Sequence, residues 1–450
     1  MAAKRQRTNL DSMQEEAVQA ALSGKNLFIT GNAGTGKSYL IQAMSDALKT
    51  KRKKVTLTAS TGPAADNIGG MTIHSFAGIG HAKESKETLA KDIFKKKYKV
   101  KDLVKCEVLF IDEISLISDA VFTKLDHVFR CIRENMTKPF GGVQVIFIGD
   151  FYQLAPVEGE YAFESPVWEE CVDRVIWLQR IYRQINPRFI DGLNAMRIGK
   201  LTEDFIKLME ECKQDDSLFN SQNTIKPTRL FPLKVDVKLI NDRELAKLEG
   251  VAHTFSAVDE GKISETFEKM FPVERALILK VGAQVVFRKN TDDFKNGTRG
   301  VVTRILYPGD KEVGGGTAAD TEEGEDEEED VTLIKAPAGV VVQCTNGKFI
   351  NVFPIKFEIN IDGKIVATRT ALPLKHGWAI TIHGAQGMSI DLLFVDLSFA
   401  FGAAQAYVAL SRATSAEGLR VVGLKPHVVF CSDKVKRYYK KLEDEVDAAR

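Results

Sequence analysis

Gly31-Asn32-Ala33-Gly34-Thr35-Gly36-Lys37-Ser38 carries the residue types and spacing that phosphate binding requires. Glycines let the backbone wrap an anion with its N–H groups, Lys37 adds a point charge, and the Ser38 hydroxyl can ligate magnesium. Two adjacent carboxylates, Asp112 and Glu113, follow the apolar run Val108–Ile111. Asp112 would hold the magnesium directly or through water, while Glu113 would orient and deprotonate a water attacking the γ-phosphate. Gln153 lies in Gly149-Asp150-Phe151-Tyr152-Gln153-Leu154-Ala155-Pro156, after the run Val145–Ile148. It has two readings, a sensor of the γ-phosphate and an amide that merely stabilises its loop. The chemistry offered is nucleotide hydrolysis.

Such residues need a scaffold that gathers them at one edge. The apolar runs Leu27–Thr30, Val55–Thr58, Val108–Ile111 and Val143–Ile148 alternate with helical patterns, which predicts an α/β fold with a parallel sheet whose carboxyl edge binds ligands. Val121, Leu125, Val128, Phe129 and Ile132 recur at helical spacing, so a helix is expected to pack that face on the sheet. A second α/β unit is expected from Thr228–Phe231 to Leu392–Leu397 and Leu419–Leu424. Between these, from about Ala283 to Leu374, short runs broken by Gly or Asn predict a small inserted β-barrel.

Composition bounds the rest. A chain of 450 residues, 44% hydrophobic, can bury several cores. No apolar run approaches the ~18 residues that span a bilayer, and Met1–Leu10 is polar and basic with no apolar secretory core. The expectation is an intracellular protein of the nucleus, the cytoplasm or a viral replication site, neither secreted nor bound to membrane. Lys4-Arg5-Gln6-Arg7 reads as a nuclear address or as a solvated tail. Six scattered cysteines, Cys106, Cys131, Cys171, Cys212, Cys344 and Cys431, read as reduced thiols, with no metal cluster encoded.

The net charge of +1 hides an asymmetry, because Asp320–Asp330 carries nine acidic residues and no basic one, and without it the chain would stand at +10. With Gly314–Gly316 and Gly324 beside it, this stretch is expected to be a mobile loop. Lysines gather at Lys49–Lys54 and at Lys91, Lys95, Lys96, Lys97, Lys99, Lys101 and Lys105. They suit a polyanionic partner, or equally form solvated helix faces.

In order along the chain stand Gln14, the loop Gly31–Ser38, Ala59-Ser60-Thr61-Gly62-Pro63-Ala64-Ala65, Thr72-Ile73-His74-Ser75-Phe76-Ala77-Gly78, Asp112-Glu113-Ile114-Ser115 and Gly149–Pro156. Leu178-Gln179-Arg180-Ile181-Tyr182-Arg183-Gln184, Ile382-His383-Gly384-Ala385-Gln386-Gly387 and Tyr407-Val408-Ala409-Leu410-Ser411-Arg412-Ala413 follow. Together they resemble the motifs of a superfamily-one helicase, specifically the PIF-one (petite integration frequency) family of DNA helicases, over nearly the full length. Glu113–Ser118 running into Phe122–Asp126 resembles the signature that separates this family from its RecD-like relatives, and Phe430–Tyr439 is also similar.

The resemblance implies two RecA-like domains with ATP and Mg2+ in the cleft between them. Residues 1–180 would form the first, with a wedge insertion at about 77–105. Residues 181–282 and 375–450 would form the second, and 283–374 an SH3-like accessory domain carrying the acidic loop 314–330. Gln14, Gly31, Ala33, Gly34, Thr35, Gly36, Lys37, Ser38 and Gly387 would contact nucleotide, with Ser38 and Asp112 on the metal. Lys37, Glu113, Gln153, Arg183 and Arg412 would be catalytic, the two arginines arriving from the second domain. Thr61, Gly62, His74, Ser75, Phe76 and His383 would line the DNA groove, with Phe76 read either as a base contact or as core.

The implied activity is a 5′→3′ ATP-dependent DNA helicase acting on single-stranded, forked or structured DNA in replication, repair, recombination or telomere maintenance, as a monomeric core. The alternatives are an ATP-driven translocase and an ATP-gated nucleic-acid clamp, neither of which unwinds. Two features depart from the family: Gly384 stands where relatives commonly carry lysine, and the acidic loop is inserted. The short N-terminus, without the long extension of many eukaryotic relatives, fits a helicase core.

Overall fold

The computed structural model describes residues 10–214, 225–294, 296–310, 336–361, 364–398, 400 and 402–448. The acidic loop expected at 314–330 lies outside the described residues. By packing, the chain forms two compact units: Met1–Glu211 with Leu397–Ala416 and Gly423–Arg450, and Cys212–Asp396 with Glu417–Val422.

Continuous apolar runs suit strands covered on both faces. In the first unit, Leu27–Gly31 (β1), Val55–Ala59 (β2), Met71–Thr72 (β3), Val108–Asp112 (β4), Gln144–Ile148 (β5) and Arg174–Leu178 (β6) form a parallel sheet in the order β3-β2-β4-β5-β1-β6. Registers such as Ile29 opposite Ile148 and Ala59 opposite Asp112 bring the carboxyl ends of β1, β2, β4 and β5 to one edge. β1 and β4 are buried throughout. β6 was not anticipated, although Val175–Leu178 is apolar.

Helices begin where side chains cap them. Ser12–Leu22 (α1) carries a capping box between Asp11 and Gln14, whereas Lys37–Thr50 (α2) starts from Gly36 at the end of the glycine-rich loop. Thr61 caps Gly62–Asn67 (α3), Thr72 caps Ile73–Ala77 (α4), and Ser85 caps Lys86–Phe94 (α5). Lys97–Lys105 (α6) follows, then Asp119–Ile132 (α7), capped by Ser118. As its spacing predicted, α7 buries Leu125, Val128, Phe129 and Ile132, with Phe122 added and Val121 partly covered. Asn186 caps Pro187–Arg197 (α8), which Glu203–Gln214 (α9) follows.

In the second unit the strands are Thr228–Phe231 (β7), His253–Ser256 (β8), Val258–Gly261 (β9), Ala276–Leu279 (β10), Gln284–Phe287 (β11), Arg299–Leu306 (β12), Gly339–Cys344 (β13), Phe349–Val352 (β14), Ile355–Ile361 (β15), Lys364–Ala371 (β16), Leu374–His376 (β17), Ala379–Thr381 (β18), Leu393–Asp396 (β19) and Leu419–Val422 (β20). The parallel sheet β18-β7-β19-β20 is the expected second α/β element. The all-β region divides into two antiparallel sheets, β14-β13-β12-β11-β17 and β15-β16-β9, a division that short apolar runs could not reveal. Val285, Phe287, Val302, Val340, Val342 and Leu374 form the core of the five-stranded one.

Candidate functional site

Two positions of the loop joining β1 to α2 require glycine. Gly34 (φ +84°) and Gly36 (φ +82°) lie in the left-handed region. A Cβ on Gly34 would stand 2.7 Å from Arg183 Cβ, and one on Gly36 would stand 3.0 Å from Gln14 Nε2. Loop, α1 and the segment after β6 therefore meet with no room for a methyl group. Gln14, buried, turns its Nε2 toward the Thr35 carbonyl at 3.4 Å. Thr35 Oγ1 donates to the Asn32 carbonyl at 2.9 Å, and the Ala33 amide donates to the Tyr407 hydroxyl at 2.9 Å. Lys37 Nζ crosses the loop to donate to the carbonyls of Gly31 (2.7 Å) and Asn32 (2.9 Å). Burial pushes its ammonium below the usual range, opposed by the charges of Asp150 and Glu113. Ser38 follows on the first turn of α2, exposed.

β4 delivers the carboxylate pair to the same edge. Asp112 is buried, and its carboxyl is pushed up to about 8 by that burial and then by the charge of Glu113. Its Oδ1 accepts from the Glu113 amide at 2.9 Å. Glu113 itself is held in the left-handed region at φ +53°, ψ +47°, a strained conformation for a side-chain-bearing residue. Crowding two carboxylates into a buried place is relieved by a divalent cation. Ser38 and Asp112 together supply oxygen donors, the preference of magnesium. Loop and carboxylates fit a magnesium nucleotide. Among the described residues no group of three or more His, Cys, Asp or Glu could hold a metal ion.

Gln153 is buried on the turn after β5, its backbone N–H donating to the Asp150 carbonyl at 2.8 Å. Arg183 and Arg412 both belong to the unit that holds the loop. Arg183 packs over Gly34, and its Nη1 donates to the Ser411 carbonyl at 2.9 Å. Arg412, 2% exposed, donates from Nε to the Val408 carbonyl and from Nη2 to Ser411 Oγ. Burial, followed by the like charge of Arg412, pushes the Arg183 guanidinium down to about 9, and burial lowers Arg412 as well. Two cations concentrated beside a phosphate-shaped loop are suited to an anion between them.

The residues expected on nucleic acid fall in three places. Thr61 and Gly62 start α3, where Thr61 Oγ1 accepts from the Ala64 amide at 3.3 Å. His74 and Ser75 lie in α4, and burial and the charge of His81 lower the His74 imidazole, so it is neutral near pH 7. Phe76 is 5% exposed and packs 6.3 Å from Phe129 between ring centroids, the arrangement that fits the core reading of its two. His383 and Gly387 are exposed around a single 3-10 turn of the second unit, where the Gly384 amide donates to Thr381 Oγ1 at 2.9 Å. Of the basic cluster, Lys91, Lys95, Lys97, Lys101 and Lys105 are exposed on α5 and α6. Lys99 is not. It is buried and donates to the Ser75 carbonyl at 2.6 Å, tying α6 to α4.

Sequence reasoning missed the residues that stitch the site together. Tyr407 holds the Ala33 amide, and Gln184 Nε2 donates to the carbonyls of Ser411 (3.2 Å) and Ala413 (2.7 Å). A tyrosine in the wholly buried helix Gln405–Leu410 was a usable signal, because a buried phenol seeks a polar partner.

Comparison with known proteins agrees with this geometry. The model of the family described as PIF1-like helicase matches residues 1–216. The ATP-dependent DNA helicase PIF1 of Danio rerio is 37% identical over 449 residues, covering 97% of this chain and 64% of its own length. The ATP-dependent DNA helicase RRM3 of Saccharomyces cerevisiae is 33% identical, covering 96% of this chain and 68% of its own. The crystal structure of Pif1 helicase from Candida albicans superposes with a TM-score of 0.78 at 35% identity, covering 97% of this chain and 100% of that one. That of Bacteroides sp Pif1 in complex with ADP-AlF4 gives 0.75 at 27% identity, covering 97% and 98%. This chain thus spans 64% of the length of the Danio rerio relative. A glycine-rich loop with Arg183 packed on Gly34, an Asp-Glu pair at the end of β4 and the buried Arg412, joined to these likenesses, make the chain a member of the PIF1-like helicase family.

Proposed function

We propose that this chain is an ATP-dependent DNA helicase that translocates 5′→3′ on single-stranded DNA and unwinds duplex or structured DNA, in replication, repair or telomere and genome maintenance, inside the nucleus or cytoplasm. The observation that carries the reading is the packing of Arg183 on Gly34, with Arg412 bonded through the same Ser411 and the charge of Glu113 acting on both. A phosphate-binding fold that only gripped nucleotide would not need two guanidiniums there. Related proteins add support, since Bacteroides Pif1 has been solved bound to ssDNA and in complex with ADP-AlF4.

Lys37 and the loop amides would hold the triphosphate, and Gln14 would bound the site on the side of the base. Ser38 and Asp112 would hold magnesium, which neutralises phosphate charge when bound. Glu113 orients the attacking water and accepts its proton, Gln153 senses the γ-phosphate, and Arg183 and Arg412 stabilise the charge that develops in transfer. Thr61, Gly62, His74, Ser75 and His383 contact the strand, mainly at its backbone, with Gly387 on the nucleotide. The segment bearing Arg412 is joined covalently at both ends to strands of the second unit, β19 and β20, so a shift of that arginine has a direct route along the chain. The accessory β region as an SH3-like clamp, the wedge at 77–105, and the direction of travel rest on family likeness.

A forked duplex with a 5′ single-stranded tail tests the reading. ATP-dependent strand displacement that vanishes in Lys37→Ala, with nucleotide hydrolysis falling on the order of 10³-fold, is the expected result. Hydrolysis without displacement would favour a translocase or clamp, and no hydrolysis by the unaltered chain would end the proposal.

A further inference from the structure

The C-terminal helix Asp433–Ala448 belongs by packing to the first unit, and one of its side chains reaches the base of the phosphate loop. Tyr439 is 1% exposed. Its hydroxyl lies 2.6 Å from Thr30 Oγ1, accepts from the Phe151 amide at 3.2 Å, and donates to Asp150 Oδ1 at 3.3 Å. With Thr30 as donor, the phenol accepts twice and donates once, which uses its full capacity. Thr30 directly precedes Gly31, the first residue of the phosphate loop, and Asp150 and Phe151 precede Gln153 by three and two positions. One hydroxyl therefore clamps the end of β1 to the turn after β5.

A buried ion pair backs the clamp. Arg197, from the last turn of α8, donates from Nε to Asp150 Oδ2 (3.0 Å) and from Nη2 to Asp150 Oδ1 (2.7 Å). Asp150 Oδ1 also accepts from the Tyr152 amide at 3.1 Å, which sets the shape of the turn. The Arg197 guanidinium lies 4.3 Å from the Tyr152 ring centroid and 5.2 Å from that of Tyr439, while those two rings stack at 4.7 Å. Every donor aimed at the Asp150 carboxylate comes from a group fixed by packing.

We infer that Tyr439, together with the Arg197–Asp150 pair, is a positioning element of the ATPase, holding the phosphate loop and the Gln153 turn in register so that Lys37 and Gln153 address the same phosphate. The C-terminal helix then forms part of the hydrolytic machinery although it touches no substrate. A misplacement of about 1 Å at such a site costs up to 10²-fold in rate. This inference rests on the ATPase reading above, which the unaltered chain tests by itself.

Tyr439→Phe removes the hydroxyl and keeps the ring stack. Tyr438→Phe, on the same helix, is the control: the Tyr438 hydroxyl accepts from Trp168 Nε1 at 3.0 Å and bonds neither loop. ATP turnover, KM for ATP and melting temperature are measured for each, well below the melting transition. The expected result is a fall in kcat on the order of tenfold for Tyr439→Phe at little changed KM, against unchanged kcat for Tyr438→Phe with a comparable loss in melting temperature. Thr30→Val and Thr30→Ser approach the same hydrogen bond from its other end, with the serine restoring turnover. Should Tyr439→Phe fail to fold, the threonine pair decides. Wild-type kcat in both Tyr439→Phe and Thr30→Val, or a kcat that merely follows melting temperature across all variants, overturns the inference while leaving the ATPase reading intact.

Discussion

Of the buried arginines, Arg369 in the second unit and Arg412 in the first are buried for opposite reasons. Arg369 on β16 has a side chain fully shielded from solvent and makes four bonds to carboxylates, to Asp259 at 2.8 and 2.9 Å and to Glu268 at 2.8 and 2.7 Å. Those bonds raise its pKa and hold both carboxyls below their usual range. Arg412 is as deeply buried, yet its bonds go to the Val408 carbonyl and the Ser411 hydroxyl, neither of which is charged, and burial lowers its pKa. A buried cation answered by carboxylates fastens a fold, here β9 and the helix Glu265–Met270 to β16. A buried cation hydrogen-bonded to neutral dipoles beside a phosphate loop, with the Glu113 charge acting on it through space, is set to receive an anion. Arg197 stands between the two cases, fully paired but built into the floor of the site.

The contrast can be broken most sharply at Arg412. Arg412→Ala should lower DNA-stimulated ATP turnover on the order of 10³-fold or more while the melting temperature holds or rises, because a costly buried charge is removed. Turnover within about tenfold of the unaltered chain would show that Arg412 is structural after all.

At Arg369 the pattern should invert. Arg369→Met leaves Asp259 and Glu268 facing each other with the exposed Arg275, 3.7 Å from Asp259 Oδ2, as their remaining cation, at a cost of about 3 kcal/mol, the lower end of the usual range because that pair persists and Glu268 is half-exposed. Urea unfolding would register this, with ATP turnover per folded molecule unchanged. The pH profile sharpens the assignment. Both carboxyls are held low when folded, so their contribution is complete above about pH 4.5 and fades as pH falls through the lowered values. Arg369→Met should lose that acid-side dependence, and a variant that kept it would point to other groups.

The smallest effect is expected from ligand alone. A magnesium nucleoside diphosphate with aluminium fluoride at about 100-fold its Kd should stabilise the unaltered chain by about 2.7 kcal/mol in a thermal shift assay. Arg412→Ala should retain the shift given by the diphosphate and lose the increment from the fluoride. An undiminished increment would separate Arg412 from the γ-phosphate.

How much of this was legible beforehand can be read residue by residue. The loop Gly31–Ser38 and the pair Asp112–Glu113 were legible because their chemistry demands fixed residue types at fixed local spacing beside apolar strands. α7 was legible because its burial repeats every turn. Phe76 was legible only as two readings, since an aromatic in a motif serves the core as readily as a base, and its burial against Phe129 supports the first. Lys99 was hidden for the same reason: its neighbours in a lysine-rich stretch are solvated, whereas its own stem crosses Gly78 to reach the Ser75 carbonyl.

By itself, then, the order of residues determined an α/β chain with a phosphate loop, a carboxylate pair and a run of family motifs, because those features are local in sequence and act through residue type. Only tertiary packing decided that Arg183 and Arg412 fold in the same unit as the loop, that Tyr407 seats the Ala33 amide, and that Tyr439 clamps β1 to the turn after β5. These contacts join positions up to 409 residues apart. Their hydrogen bonds are specified by geometry at the end of folding, and no spacing along the chain encodes them.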